Sequence, residues 1–226
     1  MNKNKFIIVL FILGILIFSY PYISQFVNNK LQERQVQQFN HKKEELNIEE
    51  ATKYLKNAEQ YNESIFKRQG NFQDPFAKDF NEFDYEDRVV EDENELISTI
   101  EIPTMNLSIP IYLGTTETSL SKGVGQVEGT SLPVGGKSTH TVLAGHRGMG
   151  TKEMFRNLDE LNEGDTFFIH TLKDTLKYKV YKTDVVLPHE TEELEVFEDK
   201  DLASLITCHP YRQNSHRLVI YGERIK

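Results

Sequence analysis

The most reactive side chain that the sequence offers is Cys208, the only cysteine among 226 residues. It follows the apolar run of residues 205–207 and precedes a turn containing Pro210, and Arg217 opens a second apolar run nine residues later. Two short strands joined by a tight loop would place Cys208 and Arg217 side by side at one rim of a sheet. A fixed positive charge favours the thiolate form of a neighbouring thiol, so the pattern predicts a cysteine nucleophile.

Such a nucleophile needs a base, and the sequence contains seven histidines. His146 stands between Gly145 and Gly148 at the predicted end of a strand, where small neighbours leave an imidazole accessible. His209 is adjacent to Cys208, but neighbours along a strand point to opposite faces, so His209 is a weaker partner. His140, six residues before His146, is expected to give structural support.

The N-terminus predicts a membrane segment. Lys3 and Lys5 precede an apolar run over residues 6–18, and a softer apolar tail brings the stretch to the length of a spanning helix. We interpret residues 1–27 as a transmembrane anchor with the N-terminus in the cytoplasm; a cleaved signal peptide is the alternative, although no small-x-small cleavage pattern follows. Residues beyond about 28 are then exported, where a single cysteine is either a buried hydrophobe or a nucleophile.

Charge excludes some classes of partner. The net charge is −9, which argues against nucleic acid. Residues 74–95 hold ten acids and two bases, a net charge of −8, and a solvated linker is the plain interpretation of such a run. The histidines are scattered and the acidic run lacks EF-hand spacing, so we expect no metal and no cofactor.

The periodicity divides the chain into a helical region over 28–70, an acidic segment over 71–95 and a strand-rich region over 96–226. Asn47 is a plausible N-cap in the helical region. Short alternating segments with turn residues between them predict an antiparallel barrel or sandwich, with a hairpin turning at Lys173–Thr175. Brief helices are expected between these strands, one of them from Met154 to Leu161.

Several of these residues together resemble the sortases, the cysteine transpeptidases of Gram-positive bacteria. The resemblance covers about residues 96–225 and rests on Thr207-Cys208 ending a strand, Arg217 nine residues on, and Gly145-His146-Arg147. Four further elements are similar to class C, the pilus-assembling sortases: residues 128–136, residues 158–161, Gly164-Asp165 and Asp74-Pro75-Phe76.

The resemblance implies a mainly β fold, a closed antiparallel barrel of about eight strands with short helices, behind N-terminal helices and a lid segment. Cys208 would attack the Thr–Gly bond of an LPxTG-type sorting signal on a pilin or surface protein, and an acceptor pilin lysine would resolve the thioacyl enzyme. His146 would serve as general acid and base, and Arg217 would steady the oxyanion. Thr207, His140 and His209 would support the site or line the substrate groove.

The resemblance also implies a lid. Asp74 would pair with Arg217, Phe76 would cover Cys208 and its pocket, and Pro75 would stiffen the segment between them. The enzyme would then rest closed and open when substrate or the membrane shifts the population.

Two departures from the class C pattern stand out. No second hydrophobic span precedes Lys226, so anchoring is expected to rest on the N-terminal helix alone, with the catalytic domain on the cell-wall face. His209 occupies a position where a small polar residue such as threonine is expected.

Three alternatives stay open at this point: a sortase that attaches proteins to peptidoglycan, a hydrolytic cysteine protease, and a non-catalytic membrane-tethered β module that binds surface proteins. The group that resolves the thioacyl intermediate separates the first two from pilin polymerisation, and tolerance of Cys208→Ala identifies the third.

Overall fold

Two helices precede the strands in the computed structural model, which describes residues 3–68, 74–76, 95–148 and 152–226. α1 spans Lys3–Glu45 and α2 spans Ile48–Lys67. The side chain of Asn47 accepts a hydrogen bond from the backbone N–H of Glu49, which satisfies one of the free donors at the start of α2. The predicted segment over 71–95 lies outside the described residues except at 74–76 and 95.

α1 has an apolar half and a half that contacts the barrel. Its N-terminal half holds an apolar window long enough to cross a membrane, and 0% of that window is buried. Further along, Phe39 is buried, and the amide of Gln32 donates to the carbonyl oxygen of Lys122 at 3.2 Å and lies 3.4 Å from the sulfur of Met154. The helix continues without a break between the two halves.

α2 lies against the barrel through a buried face that includes Ala58 and Ile65. At its centre, Asn62 is 3% exposed and binds the backbone of Leu132 at both polar groups, accepting from its N–H at 2.7 Å and donating to its C=O at 3.2 Å. Because burying these backbone groups unpaired would be costly, Asn62 fixes the loop before β4 against the helix.

In the described residues from 95 onward, eight strands follow, with one short helix, α3, and three 3₁₀ turns between them. The strands are β1 Leu96–Ile102, β2 Leu107–Leu113, β3 Val124–Gln126, β4 Thr139–Ala144, β5 Thr166–His170, β6 Thr175–Val186, β7 Asp201–His209 and β8 His216–Ile225. The helix α3 spans Glu117–Lys122, and the 3₁₀ turns span Pro103–Met105, Leu158–Glu160 and Glu192–Leu194.

The strands form a closed barrel in the order β1-β2-β3-β4-β7-β8-β6-β5, which confirms the predicted closed barrel of about eight strands. The purely antiparallel pairing was wrong, because β3 runs parallel to β2 and β7 runs parallel to β4. Parallel neighbours need a crossover connection, which α3 supplies for the first pair and the long excursion through β5 and β6 supplies for the second.

Of two further predicted elements, the hairpin is confirmed and the helix is wrong. The hairpin joining β5 to β6 is present, with His170 opposite Thr175. The helix predicted from Met154 to Leu161 is replaced by turns and a 3₁₀ segment. Met154 has φ 45°, a left-handed conformation that cannot belong to a right-handed helix.

Buried apolar side chains lie on both sides of one part of the barrel wall. All eight strands contribute to the interior of the barrel. A second cluster, here called the outer cluster, covers the opposite face of β4, β7 and β8 and consists of Leu120, Val127, Val142, Ala144, Leu194, Ile206, Val219 and Tyr221. Because successive side chains alternate between faces, the residues that continue this outer set along each strand also face outward.

Candidate active site

Cys208 and Arg217 lie directly opposite each other in the antiparallel pair β7–β8. Cys208 is two residues after Ile206, and Arg217 is two residues before Val219, so both continue the outer cluster. The expected side-by-side arrangement at a sheet rim is therefore present. Cys208 is half-buried and is a free thiol, while Arg217 is 5% exposed.

His146 reaches the same rim because β4 and β7 are parallel. Ala144 pairs with Ile206, so the chain leaves both strands at the same edge of the barrel. Two hydrogen bonds extend this alignment beyond the strand: the N–H of Gly145 donates to Ile206 O at 3.1 Å, and the Thr207 hydroxyl donates to Gly145 O at 2.7 Å. Thr207 is fully buried and thus ties the residue before Cys208 to the residue before His146.

Gly145 has no room for a side chain. A Cβ atom there would lie 2.7 Å from Phe155 Cδ2 and 2.9 Å from Val124 Cγ1. We therefore expect Gly145→Ala to lower the free energy of unfolding by about 1–3 kcal/mol, the usual cost of overpacking a core. Calorimetry on the full chain in detergent measures this. Gly14→Ala is the matched control, since nothing lies within 4 Å of that position, and equal melting temperatures for both variants would contradict the prediction.

Asp74 is bound to Arg217 through both carboxylate oxygens. Arg217 donates from Nε to Oδ1 at 2.8 Å and from Nη2 to Oδ2 at 2.6 Å, the planar two-bond geometry of strong arginine–carboxylate pairs. Both side chains are buried, at 6% and 8% exposed. The remaining Nη1 donates to the backbone oxygens of Asn214 and His216. In this state the guanidinium has no free edge directed at a substrate.

The ring of Phe76 lies close to both Arg217 and His146. Its ring centre is 5.3 Å from the Arg217 guanidinium carbon and 6.2 Å from the centre of the His146 imidazole. It also packs on the outer cluster. Pro75, between Asp74 and Phe76, is buried.

The protonation state of Cys208 differs from the expectation. In decreasing order of effect, burial raises the pKa of the thiol, Arg217 lowers it, the carboxylate of Asp74 raises it and Arg147 lowers it, and the net shift is upward. The expected net shift towards thiolate was therefore wrong for this arrangement. Arg217 lies beside the thiol as predicted, but its charge is already matched by Asp74.

His146 is also held in its neutral form. Burial lowers the pKa of the imidazole, and the negative charge of Glu117 offsets only part of that effect. Its Nε2 atom is buried and has no hydrogen-bond partner among the described residues. A neutral thiol and a neutral imidazole with an unused nitrogen form a pair in which the proton still has to move from sulfur to nitrogen before attack.

The other two predicted histidines have different surroundings. His140 is fully buried, with Nδ1 2.8 Å from Glu195 O and Nε2 2.8 Å from Ser204 Oγ. Burial lowers its pKa to about 4, so it is neutral and structural at ordinary pH, and it lies four residues before the end of β4 at which His146 follows. His209 is half-buried and receives a hydrogen bond from Arg147 on its Nδ1 atom.

Arg147 is the residue that sequence reasoning treated only as part of a motif. It is 9% exposed and forms an ion pair with Asp159 at 3.0 Å, in addition to its contact with His209. The available signal was a charged residue between the candidate base His146 and Gly148, just after a predicted strand end. Among the described residues, no group of three or more His, Cys, Asp or Glu side chains is arranged to hold a metal ion.

Comparison with known proteins agrees with this geometry. The family model described as "Sortase domain" matches residues 100–225. Sortase D of Bacillus subtilis is 31% identical over 129 residues, which are 56% of this chain and 62% of that protein, so the match spans about three fifths of that relative's length.

Solved structures extend the likeness over most of the chain. Sortase C1 of the group B Streptococcus pilus island 1 superimposes with a TM-score of 0.78 at 38% identity, covering 86% of this chain and 92% of that one. Sortase C of Clostridium perfringens, solved with its C-terminal cell wall sorting motif, gives a TM-score of 0.74 at 39% identity, covering 85% and 98%.

Proposed function

The chain belongs to the sortase family of cysteine transpeptidases, and from that membership we propose that it joins pilin subunits through lysine isopeptide bonds. Its substrate is an LPxTG-type sorting signal, cut between Thr and Gly. The observation that carries the proposal is the common outward face of Cys208, His146 and Arg217, on which Asp74 and Phe76 are seated.

Cys208 and His146 carry out the acyl transfer in this proposal. His146 takes the thiol proton, and the sulfur attacks the threonine carbonyl carbon. The Thr–Gly C–N bond breaks, and the glycine amine leaves with the proton from His146. A lysine amine of the next pilin then attacks the thioester, His146 accepts its proton, and the thiolate is released. A neutral imidazole is the form required to begin this sequence, which agrees with the lowered pKa of His146.

Arg217 stabilises the negative oxygen that develops on the threonine carbonyl. Its guanidinium presents a planar fork of donors that keeps its charge at all working pH values. Because Asp74 occupies two of those donors, this role requires that the aspartate leave. Thr207 supports the site by fixing the backbone at Gly145.

Asp74, Pro75 and Phe76 act as a lid over this site. Phe76 packs on the apolar outer cluster beside both His146 and Arg217, where an apolar residue of a sorting signal has to bind. Substrate and lid therefore compete for the same surface, and the substrate opens the site by binding the open state better than the closed one.

Replacing both lid side chains, Asp74→Ala with Phe76→Ala, is expected to increase the rate at which a thiol reagent modifies Cys208 by about tenfold or more. The change removes the ring from the groove, and it also removes the carboxylate that raises the pKa of the thiol, where one pKa unit is worth a factor of ten in thiolate. Mass spectrometry of the iodoacetamide adduct against time measures this.

The matched control for the lid is Phe197→Ala with Asp199→Ala. Phe197 is exposed, and Asp199 forms an exposed ion pair with Lys137, so the same two residue types are removed elsewhere. If the lid variant reacts at the same rate as wild type and the control, the closed lid is wrong.

The proposal places the protein at the cell membrane as a single-pass protein, anchored by α1, with the barrel on the cell-wall face. The apolar half of α1 supports this anchoring, since it is long enough to span a bilayer and lies free of the barrel.

The test of the proposed function offers the enzyme a choice of acceptors. An LPxTG peptide is incubated with the full chain in detergent, together with a pilin-derived lysine peptide, a peptidoglycan stem peptide and water as competing acceptors. Mass spectrometry identifies the products. An isopeptide with the pilin lysine supports polymerisation, and transfer to the stem peptide supports cell-wall attachment. A cleaved peptide that ends in a free threonine carboxylate, as the only product, supports hydrolysis. If folded protein cleaves none of the signal variants, all three enzymatic functions are contradicted and a binding module is favoured.

A further inference from the structure

The residues that follow the two candidate catalytic groups are bonded to each other. His209 follows Cys208, Arg147 follows His146, and the guanidinium of Arg147 donates to Nδ1 of His209. Asp159, in the 3₁₀ turn Leu158–Glu160, holds the other side of Arg147 at 3.0 Å. Two side-chain contacts thus join the strand ends, one from Thr207 to Gly145 and one from Arg147 to His209.

The contact depends on the protonation state of His209. A guanidinium has only donors, so Nδ1 of His209 must carry a lone pair, and the proton of the neutral ring must be on Nε2. Protonation of Nδ1 removes the acceptor and places two positive charges against each other. The contact therefore exists only while His209 is neutral.

The charged and titratable groups that act on His209 come from three neighbouring elements. They are Arg147 after β4, Asp159 in the 3₁₀ turn, and His216, its cross-strand partner on β8. Burial lowers the pKa of His209, Arg147 and His216 lower it further, and Asp159 opposes them. The neutral ring is thus favoured above the ordinary histidine pKa, and the contact is lost as pH falls through the lowered value.

Arg147 in turn acts on Cys208. It is one of the two cations that lower the pKa of the thiol, and the other, Arg217, is matched by Asp74. Among the described residues, the guanidinium of Arg147 is held by His209 and by the half-exposed Asp159, so loss of the His209 contact removes one of these two restraints. A change in the His209 contact therefore acts on the thiol through the charge of Arg147, which lowers the pKa of Cys208.

We propose that His209 is a positioning residue whose neutral imidazole holds Arg147 beside Cys208, so that protonation of His209 weakens the nucleophile. The relevance to acyl transfer rests on the proposed function, but the effect on the thiol does not. Reactivity is controlled by two linked protons: one on sulfur and one on His209.

The test is the pH dependence of Cys208 alkylation by iodoacetamide in the full chain in detergent, which needs no peptide substrate. In wild type, the logarithm of the rate is expected to fall with a slope of one per pH unit near neutrality and to steepen only at a pH below the ordinary histidine pKa, where His209 protonates. His209→Asn keeps an acceptor near the position of Nδ1 but does not titrate, so its slope should stay at one. His209→Ala should react about tenfold more slowly than wild type at pH 7.5, equivalent to one pKa unit.

His216→Gln is the matched control, because it removes the other nearby imidazole. This variant should keep the steeper fall of the alkylation rate at acid pH, here called the acid limb. The proposal is overturned if His209→Asn keeps that limb, if His216→Gln loses it, or if His209→Ala reacts like wild type at pH 7.5. A second measurement does not depend on the folding of these variants: in wild type, the NMR titration of the His209 ring should give a pKa below the ordinary histidine value. A normal or raised value would also overturn the proposal. Failure of peptide cleavage with this pH signature intact would count against the proposed function alone.

Discussion

Cys208→Ala is expected to abolish thioacyl formation and to lower kcat/KM for an LPxTG peptide by at least about 10⁴-fold, because no other side chain of the site can form the acyl intermediate. In the proposed mechanism the three groups act as one unit: the sulfur loses its proton to His146, and the oxyanion is stabilised by Arg217. Without the sulfur, the remaining two have no intermediate to stabilise. Intact-mass measurement of the adduct, together with peptide cleavage, checks this result.

Cys208→Ser is the conservative companion to this variant. A hydroxyl has a far higher pKa than a thiol, and the site already disfavours the anionic form at this position, through burial and Asp74. The serine variant is therefore expected to be as inactive as the alanine variant while retaining the shape of the site. Substantial cleavage by Cys208→Ala would mean that this thiol is not the nucleophile and would leave the binding module as the favoured alternative.

Arg217→Lys is expected to lower kcat by about 10²- to 10³-fold, the usual loss when an oxyanion donor is removed. Lysine keeps the positive charge but offers a single point of contact. Arg217, by contrast, is held by Asn214 O and His216 O through one nitrogen while two others remain for Asp74 or substrate. Steady-state cleavage kinetics measure kcat and KM separately, and circular dichroism checks that the barrel is intact.

The same substitution at Arg212, Arg212→Lys, is the control. That side chain is exposed and stacks on the ring of Tyr211 in the loop between β7 and β8, close to the site but outside it. Its activity should equal wild type. If Arg217→Lys also retains more than about a third of the activity, charge alone is sufficient and the two-donor geometry is not required.

Local patterns in the sequence were enough to predict two antiparallel pairs joined by short turns, β5–β6 and β7–β8. The pairing of Cys208 with Arg217 follows from two apolar runs and a short turn, since a tight loop leaves few alternative registers. The parallel pairing of β4 with β7 has no such local signal. It joins residues separated by β5 and β6, so only the packing of the whole barrel determines that His146 and Cys208 leave the sheet at the same edge.

It was harder to predict the electrostatics of the site than to predict which residues belong to it. The neighbouring charge on Arg217 was evident from the sequence, but the pKa of Cys208 depends on a sum that also includes burial and Asp74, which lies far away in the chain. Similarly, Arg147 and His209 each follow a recognised residue, yet their contact arises only from the parallel pairing. Short-range spacing identifies the chemical groups, whereas the net field at each group depends on the tertiary structure.

The parallel pairing has a consequence for folding. Thr207 and Gly145, whose hydrogen bond aligns the two strand ends, are 62 residues apart in the chain. Contacts of this separation form late, because closing a long loop costs chain entropy before the contact stabilises anything. β7 must insert between β4 and β8 before the thiol, the imidazole and the guanidinium share one face. On the proposed function, a chain in which this pairing has not yet formed has its cysteine without the acid, base and oxyanion donor, and it gains acyl-transfer chemistry only when the barrel closes.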